Sequence, residues 1–328
     1  MLNDTLLFLG GLVLLLGGGR LLVGASVDTA RRLSVSPLVV GLTLVAWGTS
    51  APELALNLAS AYKDRGDLAL GNVVGANICN LALVLGVCAL IRPLAVEERL
   101  IRVETWLNAA VLIGLAVICM TGEVTPWKPA LMLAVFGGYS VWTIMASLRT
   151  SERAAVAAAS PGDGPLMEQP PMSWARIAVF FVVGLAMLSY GGSLASDGAS
   201  GVALALGVPP AVVGVTIVSV GTTLPEMITS VMAVRQGRTD LGMGNAIGSC
   251  LFNAGAIFGV AALIDAPPSD PTMTVPLLYM AALSVVLIPF SRTDQRTISR
   301  YEGVFLLATY VGFLAYSAWA ATRATPSP

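Results

Sequence analysis

Two glutamates, Glu53 and Glu226, stand in apolar sequence, and each directly follows a proline in the pattern Gly-Thr-Ser/Thr-x-Pro-Glu. An ionisable group inside an apolar segment is costly, so such residues usually serve a function. Carboxylate, hydroxyl and amide oxygens together form a hard donor set, which suits Ca²⁺ or Na⁺ and is poor for transition metals. We therefore predict a cation site around these two carboxylates.

A second polar motif follows each glutamate segment. Residues 71–80 read Gly-Asn-Val-Val-Gly-Ala-Asn-Ile-Cys-Asn, and residues 244–253 read Gly-Asn-Ala-Ile-Gly-Ser-Cys-Leu-Phe-Asn. Every matched position recurs 173 residues later, as Glu226 does after Glu53, so the chain is an internal duplication. Helical spacing places residue 76 with 80, and 249 with 253, on one face. This face is predicted to carry cation ligands or bonds to a neighbouring helix, and its polar members are Asn77, Asn80, Ser249 and Asn253.

Both glutamate segments are predicted to interrupt their helices. Pro52 and Pro225 each remove a backbone donor, and Gly48 and Gly221 stand just before them. Each break is expected to free carbonyl oxygens near the site, such as those of Ala46 and Ser219, which is tolerated at membrane depth only where the backbone lines a cavity. Two carboxylates neutralise one Ca²⁺ or most of the charge on two or three Na⁺, so competition for them would produce exchange. Burial disfavours the charged carboxylate, which makes a proton a third competitor.

The composition is that of a polytopic membrane protein. The 328 residues are 56% hydrophobic and 11% charged, with a mean hydropathy of +0.81. The net charge of −1 argues against a nucleic-acid partner. Because histidine is absent and the four cysteines form no Cys-x-x-Cys pair, we expect no resident cofactor or zinc site and interpret the cysteines as buried packing residues. Nothing in the pattern indicates an enzyme.

Apolar runs long enough to cross a bilayer predict ten spans in an all-α membrane protein. The N-terminal run lacks a cleavage site and is predicted to be a retained span. The chain divides into a first five-helix repeat at 1–148 (motif region 41–86), a linker at 149–173 and a second repeat at 174–328 (motif region 214–259), with helices 2 and 7 broken. The predicted spans cover 5–29, 36–61, 68–90, 102–121, 127–148, 174–206, 209–234, 241–264, 272–290 and 302–322.

The distribution of basic residues predicts the orientation in the cell membrane. Loops after odd-numbered spans hold 13 arginines, whereas the other loops and the termini hold only Lys63, Arg65, Lys128 and Arg323. Both termini should therefore lie outside and the linker in the cytoplasm. Because five spans separate the copies, the second half enters from the opposite face. Such an inverted-topology repeat places a transport site at the midplane between the halves.

The two motifs resemble the α-repeats of the sodium/calcium exchanger branch of the cation/calcium antiporter superfamily. The close resemblance covers about 80 residues, and the five-plus-five plan extends it to the whole chain. It implies that Na⁺ and Ca²⁺ are the transported ions and are bound between the repeats. The surroundings are expected to be the lipid bilayer, and the expected unit is a monomer. The implied ligands are Thr49, Ser50, Glu53 and Asn80 with Thr222, Thr223, Glu226, Ser249 and Asn253, plus the carbonyls of Ala46 and Ser219. Glu53 and Glu226, with Thr49 and Thr222, would hold Ca²⁺.

Several positions depart from that family pattern. Ala76 stands where serine is frequent, which removes a hydroxyl from one Na⁺ site, and Thr223 is a mild change from serine. Asn253 stands where potassium-dependent relatives have an acid, which lowers the expectation of K⁺ coupling. Gly75 and Gly248 stand where the proton-coupled calcium exchangers carry glutamate, which favours Na⁺ over H⁺.

These observations predict a secondary antiporter that exchanges Na⁺ for Ca²⁺ by alternating access. The alternative within transport is an antiporter that couples H⁺ to Ca²⁺ or to another divalent cation. A passive cation channel would also present acids, but broken helices in an inverted repeat favour an occluding site. An intramembrane protease would need paired membrane aspartates or a Ser/His dyad, and this sequence has no histidine.

Overall fold

The computed structural model describes residues 1–158, 172–208, 213, 219–292 and 296–324. In these ranges the regular secondary structure is helical apart from one short strand pair, in which Leu94–Ala95 and Thr297–Ile298 run antiparallel. The helices are α1 (Leu2–Leu33), α2 (Pro37–Thr49), α3 (Ala51–Ala61), α4 (Gly66–Ile91), α5 (Leu100–Met120), α6 (Trp127–Ala158), α7 (Trp174–Ala205), α8 (Ser219–Thr222), α9 (Leu224–Arg235), α10 (Thr239–Ile264), α11 (Thr274–Phe290) and α12 (Arg300–Ala324).

Eight described helices are long and apolar enough to cross a membrane, and the bent pair α2 and α3 could form a ninth span. All of these agree with predicted spans to within a few residues, except that α6 runs on to Ala158. The predicted span at 209–234 falls partly outside the described residues. Ten spans, and the inversion of one half relative to the other, therefore remain predictions.

The helix α6 extends ten residues into the predicted linker. The sequence Ala-Ala-Val-Ala-Ala at 154–158 consists almost entirely of the strongest helix former, which explains the continuation. At the other end of the linker, the Met172 backbone N–H donates to Asp28 at 3.0 Å, and Arg32 Nε donates to the Met172 carbonyl at 2.5 Å. The linker therefore rejoins the described part of the chain against the last turns of α1. Residues 159–171 of the predicted linker lie outside the described residues.

The helices α1 and α7 pack against each other along glycine faces. A Cβ added at Gly11 would lie 2.5 Å from the Ala195 backbone N, and one at Gly18 would lie 2.7 Å from the Gly184 carbonyl oxygen. Glycine permits this close approach of two backbones, which is a common basis of helix association in membranes. The pair thus forms one unit along the side of the site.

The predicted breaks in the two glutamate segments are present in the described residues. The helices α2 and α3 meet at an angle of 46°, and Ser50 between them has φ −87° and ψ 6°. Thr223, between α8 and α9, has nearly the same conformation at φ −90° and ψ 1°. Pro52 and Pro225 stand in the first turn of the following helix, where a missing N–H costs little. Each glutamate is thereby placed one residue later, also in that first turn.

The helices α4 and α10 are the most buried of the candidate spans and lie at the centre of the molecule. Both contain one π-helical turn, at Cys79–Val84 in α4 and at Asn253–Ile257 in α10. A π-helical turn shifts the helix face and is frequent at functional sites. These two turns contain Asn80 and begin at Asn253, and both side chains are buried.

The glycines of the second motif copy lie at a close contact between helices. A Cβ at Gly244 would lie 2.6 Å from the Leu38 carbonyl oxygen, and one at Gly248 would lie 2.6 Å from that of Leu42. Helix α10 therefore packs closely against α2. By contrast, a Cβ at Gly71 or Gly75 would meet no atom of the described residues within 4 Å.

Candidate cation site

The carboxylates of Glu53 and Glu226 lie inside the protein, and each residue is about 1% exposed. Each belongs to the first turn of its helix, where the positive end of the helix dipole favours a negative charge. The two side chains are close enough to interact electrostatically. The structure thus brings together the two acids that the sequence separates by 173 positions.

Ser50 connects the two copies of the motif. Its hydroxyl donates to Glu226 Oε1 at 2.7 Å and lies 3.1 Å from the Ser249 hydroxyl. All three side chains are buried. A hydroxyl from the first break therefore touches the carboxylate that follows the second break, so the site includes groups from both halves.

Many buried polar atoms of the predicted site residues have no protein partner in the described part of the chain. Buried polar groups are normally hydrogen-bonded, so a concentration of such atoms indicates a site for a ligand. Two of the residues that contribute these atoms are acids. The described residues contain no group of three or more His, Cys, Asp or Glu that could hold a metal. The atoms are both carboxylate oxygens of Glu53, Oε2 of Glu226, Oγ1 of Thr223, and the side-chain N and O of Asn80 and Asn253.

This donor set matches hard cations. Every candidate atom except the amide nitrogens is an oxygen, and Na⁺ and Ca²⁺ take oxygen ligands. Cys79 and Cys250 lie nearby, but they are buried free thiols, as are Cys88 and Cys119. The packing role predicted for the four cysteines agrees with their burial.

The Ala46 carbonyl at the first break is less free than predicted. The Ala46 carbonyl accepts the Ser50 N–H at 3.0 Å, so the helical bond across this part of the break is retained. In the second copy the Thr223 N–H donates to the Val220 carbonyl at 3.0 Å, which tightens the last turn of α8 that begins at Ser219. The Thr49 hydroxyl also lies 3.3 Å from the Ala46 oxygen, so both lone pairs of this carbonyl have a donor within reach in this conformation.

Asn77 differs from the other predicted residues. Its Nδ2 lies 3.8 Å from the sulfur of Met280 on α11, and its carbonyl oxygen faces Cys250 at 3.9 Å. Asn77 is fully buried and its Oδ1 has no described partner. The side chain therefore contacts α11, whereas Asn80 lies in the π-helical turn of α4 and has no described partner.

Two neighbouring residues escaped the sequence reasoning. Asn245 Oδ1 accepts from the Thr49 hydroxyl at 3.2 Å, and Asn245 Nδ2 donates to the Ser230 hydroxyl at 2.9 Å. Ser230 stands one turn after Glu226 in α9, and both Ser230 and Asn245 are fully buried. The sequence did contain a signal for Asn245, because Gly71-Asn72 in the first copy recurs as Gly244-Asn245 in the second.

Two cavities reach Thr222, which is partly exposed. The first has a volume of about 290 Å³ and contains Ser60, Asp67 and Asn72 in its wall. The second has a volume of about 170 Å³ and lies between Thr222 and a face of α7 that carries Ser193 and Asp197. Thr49, the counterpart of Thr222, is buried, so the two copies of the motif differ in their access to the surroundings.

Comparison with known proteins agrees with the geometry. The family described as "Sodium/calcium exchanger protein" matches residues 4–145 and 176–319. The antiporter CaxA of Alkalimonas amylolytica, whose name marks that activity as provisional, is 34% identical over 95% of this chain and 98% of its own length. The sodium/calcium exchanger MaX1 of Methanosarcina acetivorans is 30% identical, over 95% of this chain and 97% of its own.

A solved structure has the same fold. The sodium–calcium exchanger NCX_Mj, in crystals soaked without Na⁺ and Ca²⁺, aligns with a TM-score of 0.80 and 30% sequence identity. The alignment covers 96% of this chain and 99% of that one. Family, relatives and fold agree over nearly the whole length. The chain therefore belongs to the sodium/calcium exchanger protein family.

Proposed function

We propose that this protein exchanges Na⁺ for Ca²⁺ across the cell membrane by alternating access, without a cofactor and without covalent chemistry. The observation that carries the proposal is the pair of buried carboxylates, Glu53 and Glu226, surrounded by oxygens that have no described protein partner. The charge of −2 on the two carboxylates neutralises one Ca²⁺, or most of the charge on two or three Na⁺. Exchange follows because the two ions cannot both hold the same carboxylates.

We assign the ion ligands to both copies of the motif. The carboxylates of Glu53 and Glu226, with the hydroxyls of Thr49 and Thr222, would hold Ca²⁺ because a divalent cation needs the full charge. Neutral oxygens from the same breaks and from α4 and α10 would complete the Na⁺ sites. The full set comprises Ala46, Thr49, Ser50, Glu53, Asn77, Asn80, Ser219, Thr222, Thr223, Glu226, Ser249 and Asn253.

The topology that serves this function has ten spans in two inverted five-helix repeats, with both termini outside. Residues 1–148 form the first repeat, 149–173 the cytoplasmic linker and 174–328 the second repeat. The positive-inside distribution of arginines supports this orientation. Because both copies of the motif lie in one chain and meet at one site, a monomer suffices for transport.

A second candidate coupling ion is the proton. Glu53 is a buried acid with no described hydrogen-bond donor to either carboxylate oxygen, so a proton could compete with a metal ion for it. Proton coupling is disfavoured by Gly75 and Gly248, which stand where the proton-coupled branch has glutamate. Sodium coupling is therefore preferred, and proton coupling is the outcome to test against it.

The test is uptake of ⁴⁵Ca²⁺ into proteoliposomes loaded with Na⁺. We expect uptake when the outward Na⁺ gradient is present and none with K⁺ or choline inside. Uptake driven by a pH gradient alone would make the proton the coupling ion while keeping the two glutamates. Single-channel currents in the same liposomes would replace the antiporter with a passive pore.

A further inference from the structure

Asn245 links the two copies of the motif through its side-chain amide. Its Oδ1 lies 3.2 Å from the Thr49 hydroxyl, whose single proton it shares with the Val45 carbonyl at 3.0 Å and the Ala46 carbonyl at 3.3 Å. Its Nδ2 donates to Ser230 at 2.9 Å and to the Glu226 carbonyl at 3.2 Å. The residue is fully buried. One amide side chain therefore joins the break before Glu53 to the helix that carries Glu226.

Asn72 occupies the equivalent position in the first copy, 173 residues earlier, and makes none of these contacts in the described residues. Its Nδ2 is buried without a hydrogen-bond partner, and the residue lines the 290 Å³ cavity together with Thr222, the counterpart of Thr49. Asn57, the counterpart of Ser230, has an Oδ1 that is also buried without a partner. A donor and an acceptor that correspond to a bonded pair in the second copy are thus both unpaired in the first.

We propose that Asn72 and Asn245 are paired positioning residues of the exchange cycle, one for each access state. In the state described here Asn245 holds Thr49, and the side of the site that includes Ala233 is closed. In the opposite state Asn72 accepts from the Thr222 hydroxyl and donates to Asn57, while Asn245 releases Thr49. The proposal rests on the proposed function, because it assumes alternation between the two copies of an inverted repeat.

The donors and acceptors of the two asparagine side chains permit this alternation of hydrogen bonds. A primary amide offers two donors and an acceptor with two lone pairs, so each asparagine can join a threonine hydroxyl on one side to a polar group on the other. Leaving a buried polar atom unpaired costs more than an average hydrogen bond gains. If the bonds lost at Asn245 are replaced by bonds at Asn72, the two states have similar free energies. A carrier needs that balance, because both states must be populated during turnover.

The two copies differ in one detail that sets the expected contacts. In α3 the Asn57 Nδ2 already donates to the Glu53 carbonyl at 2.7 Å, which is the acceptor equivalent to the one Asn245 uses at Glu226. Asn72 is therefore expected to bond to Asn57 Oδ1, and Asn57 to remain on the Glu53 carbonyl. This chain of amides would hold Thr222 against α3 from the side of the present cavity.

Cysteine accessibility at two equivalent positions tests the proposal. Ser60 lines the first cavity, whereas its counterpart Ala233 is fully buried. The reporters are Ser60→Cys and Ala233→Cys, each labelled with a membrane-impermeant thiol reagent in sealed vesicles of both orientations. The four native cysteines are buried, so the unmodified chain provides the background rate.

We expect Asn245→Ala to speed labelling of the Ala233→Cys reporter by about fivefold, since the proposed change of state releases one buried hydrogen bond of Asn245, and such a bond shifts an equilibrium by roughly that factor. Asn72→Ala should slow labelling of the same reporter by a similar factor. The double variant should return towards the rate of the reporter chain alone. If the two asparagines had purely structural roles, both single variants would change the labelling rate of the reporter in the same direction.

The opposite signs decide the result. Equal or absent shifts in Asn72→Ala and Asn245→Ala, in chains that elute as monodisperse protein, would overturn the proposal. If either alanine variant fails to fold, Asn72→Ser and Asn245→Ser keep a small polar group and are expected to show the same signs. Sodium-driven ⁴⁵Ca²⁺ uptake by the unmodified chain distinguishes the proposed function from the proposed roles of the two asparagines. Absence of uptake would refute the exchange function. Uptake without opposite shifts in labelling would refute only the roles of Asn72 and Asn245.

Discussion

Replacing Glu53 or Glu226 with glutamine is expected to abolish Ca²⁺ transport while leaving the protein folded in the membrane. Glutamine has nearly the same shape, but each substitution removes half of the charge assigned to the site. A unit charge about 4 Å away contributes on the order of 4 kcal/mol of gross Coulomb attraction at an effective dielectric constant near 20, and a divalent cation experiences twice that. Even after the gain from lower desolvation, we expect at least a ~100-fold loss of sodium-driven ⁴⁵Ca²⁺ uptake.

The matched control is Glu123→Gln, which makes the same change of charge in an exposed loop. This variant should transport at nearly the unmodified rate. Size-exclusion elution of all three variants reports whether the glutamines affect folding. Substantial divalent transport by Glu53→Gln or Glu226→Gln would show that the site lies elsewhere.

Gly248→Ala is expected to reduce transport at least tenfold through packing alone. The added Cβ would lie 2.6 Å from the Leu42 carbonyl oxygen and 2.9 Å from the Ala46 Cβ, so α10 and α2 would have to separate. Backbone atoms cannot yield as a flexible side chain can, and overpacking of this kind typically costs about 1–3 kcal/mol. Separation would move Ser50 away from Ser249 and Glu226, which it now contacts.

Gly114→Ala is the control for this effect. A Cβ at Gly114 in α5 would meet no described atom within 4 Å, so this variant should retain transport and thermal stability. The measurement is the initial rate of ⁴⁵Ca²⁺ uptake, with the temperature of aggregation recorded for both proteins. Unchanged uptake by Gly248→Ala would mean that the contact between α10 and α2 does not position the ion ligands.

The sequence was sufficient to locate the two glutamates and the interruptions beside them, because the cost of a buried acid and the chemistry of proline act locally. Glu53 and Glu226 indeed lie buried in the first turns of α3 and α9. The duplication at a constant offset also predicted that residues from both copies would meet, which the contact between Ser50 and Glu226 demonstrates.

Other features depend on tertiary contacts that periodicity does not encode. Asn77 and Asn80 are equivalent candidates in the sequence, but Asn77 contacts Met280 on α11, whereas a π-helical turn contains Asn80. The partners of Asn245 come from two helices that are distant in sequence. The different surroundings of Asn72 and Asn245 could not be read from nearly identical motifs, because they depend on which residues of other helices pack against each asparagine.

Competition between the two ions for the purified protein tests the central claim most directly. Equilibrium binding of ⁴⁵Ca²⁺ would be measured at constant pH and ionic strength while Na⁺ replaces choline, with K⁺ as the comparison ion. We expect about one Ca²⁺ per chain, displaced by Na⁺ with a Hill coefficient above one and not by K⁺, because two or three Na⁺ are needed to match the charge of Glu53 and Glu226. Calcium binding that is indifferent to Na⁺, or that Na⁺ and K⁺ displace equally, would contradict a shared site for Na⁺ and Ca²⁺.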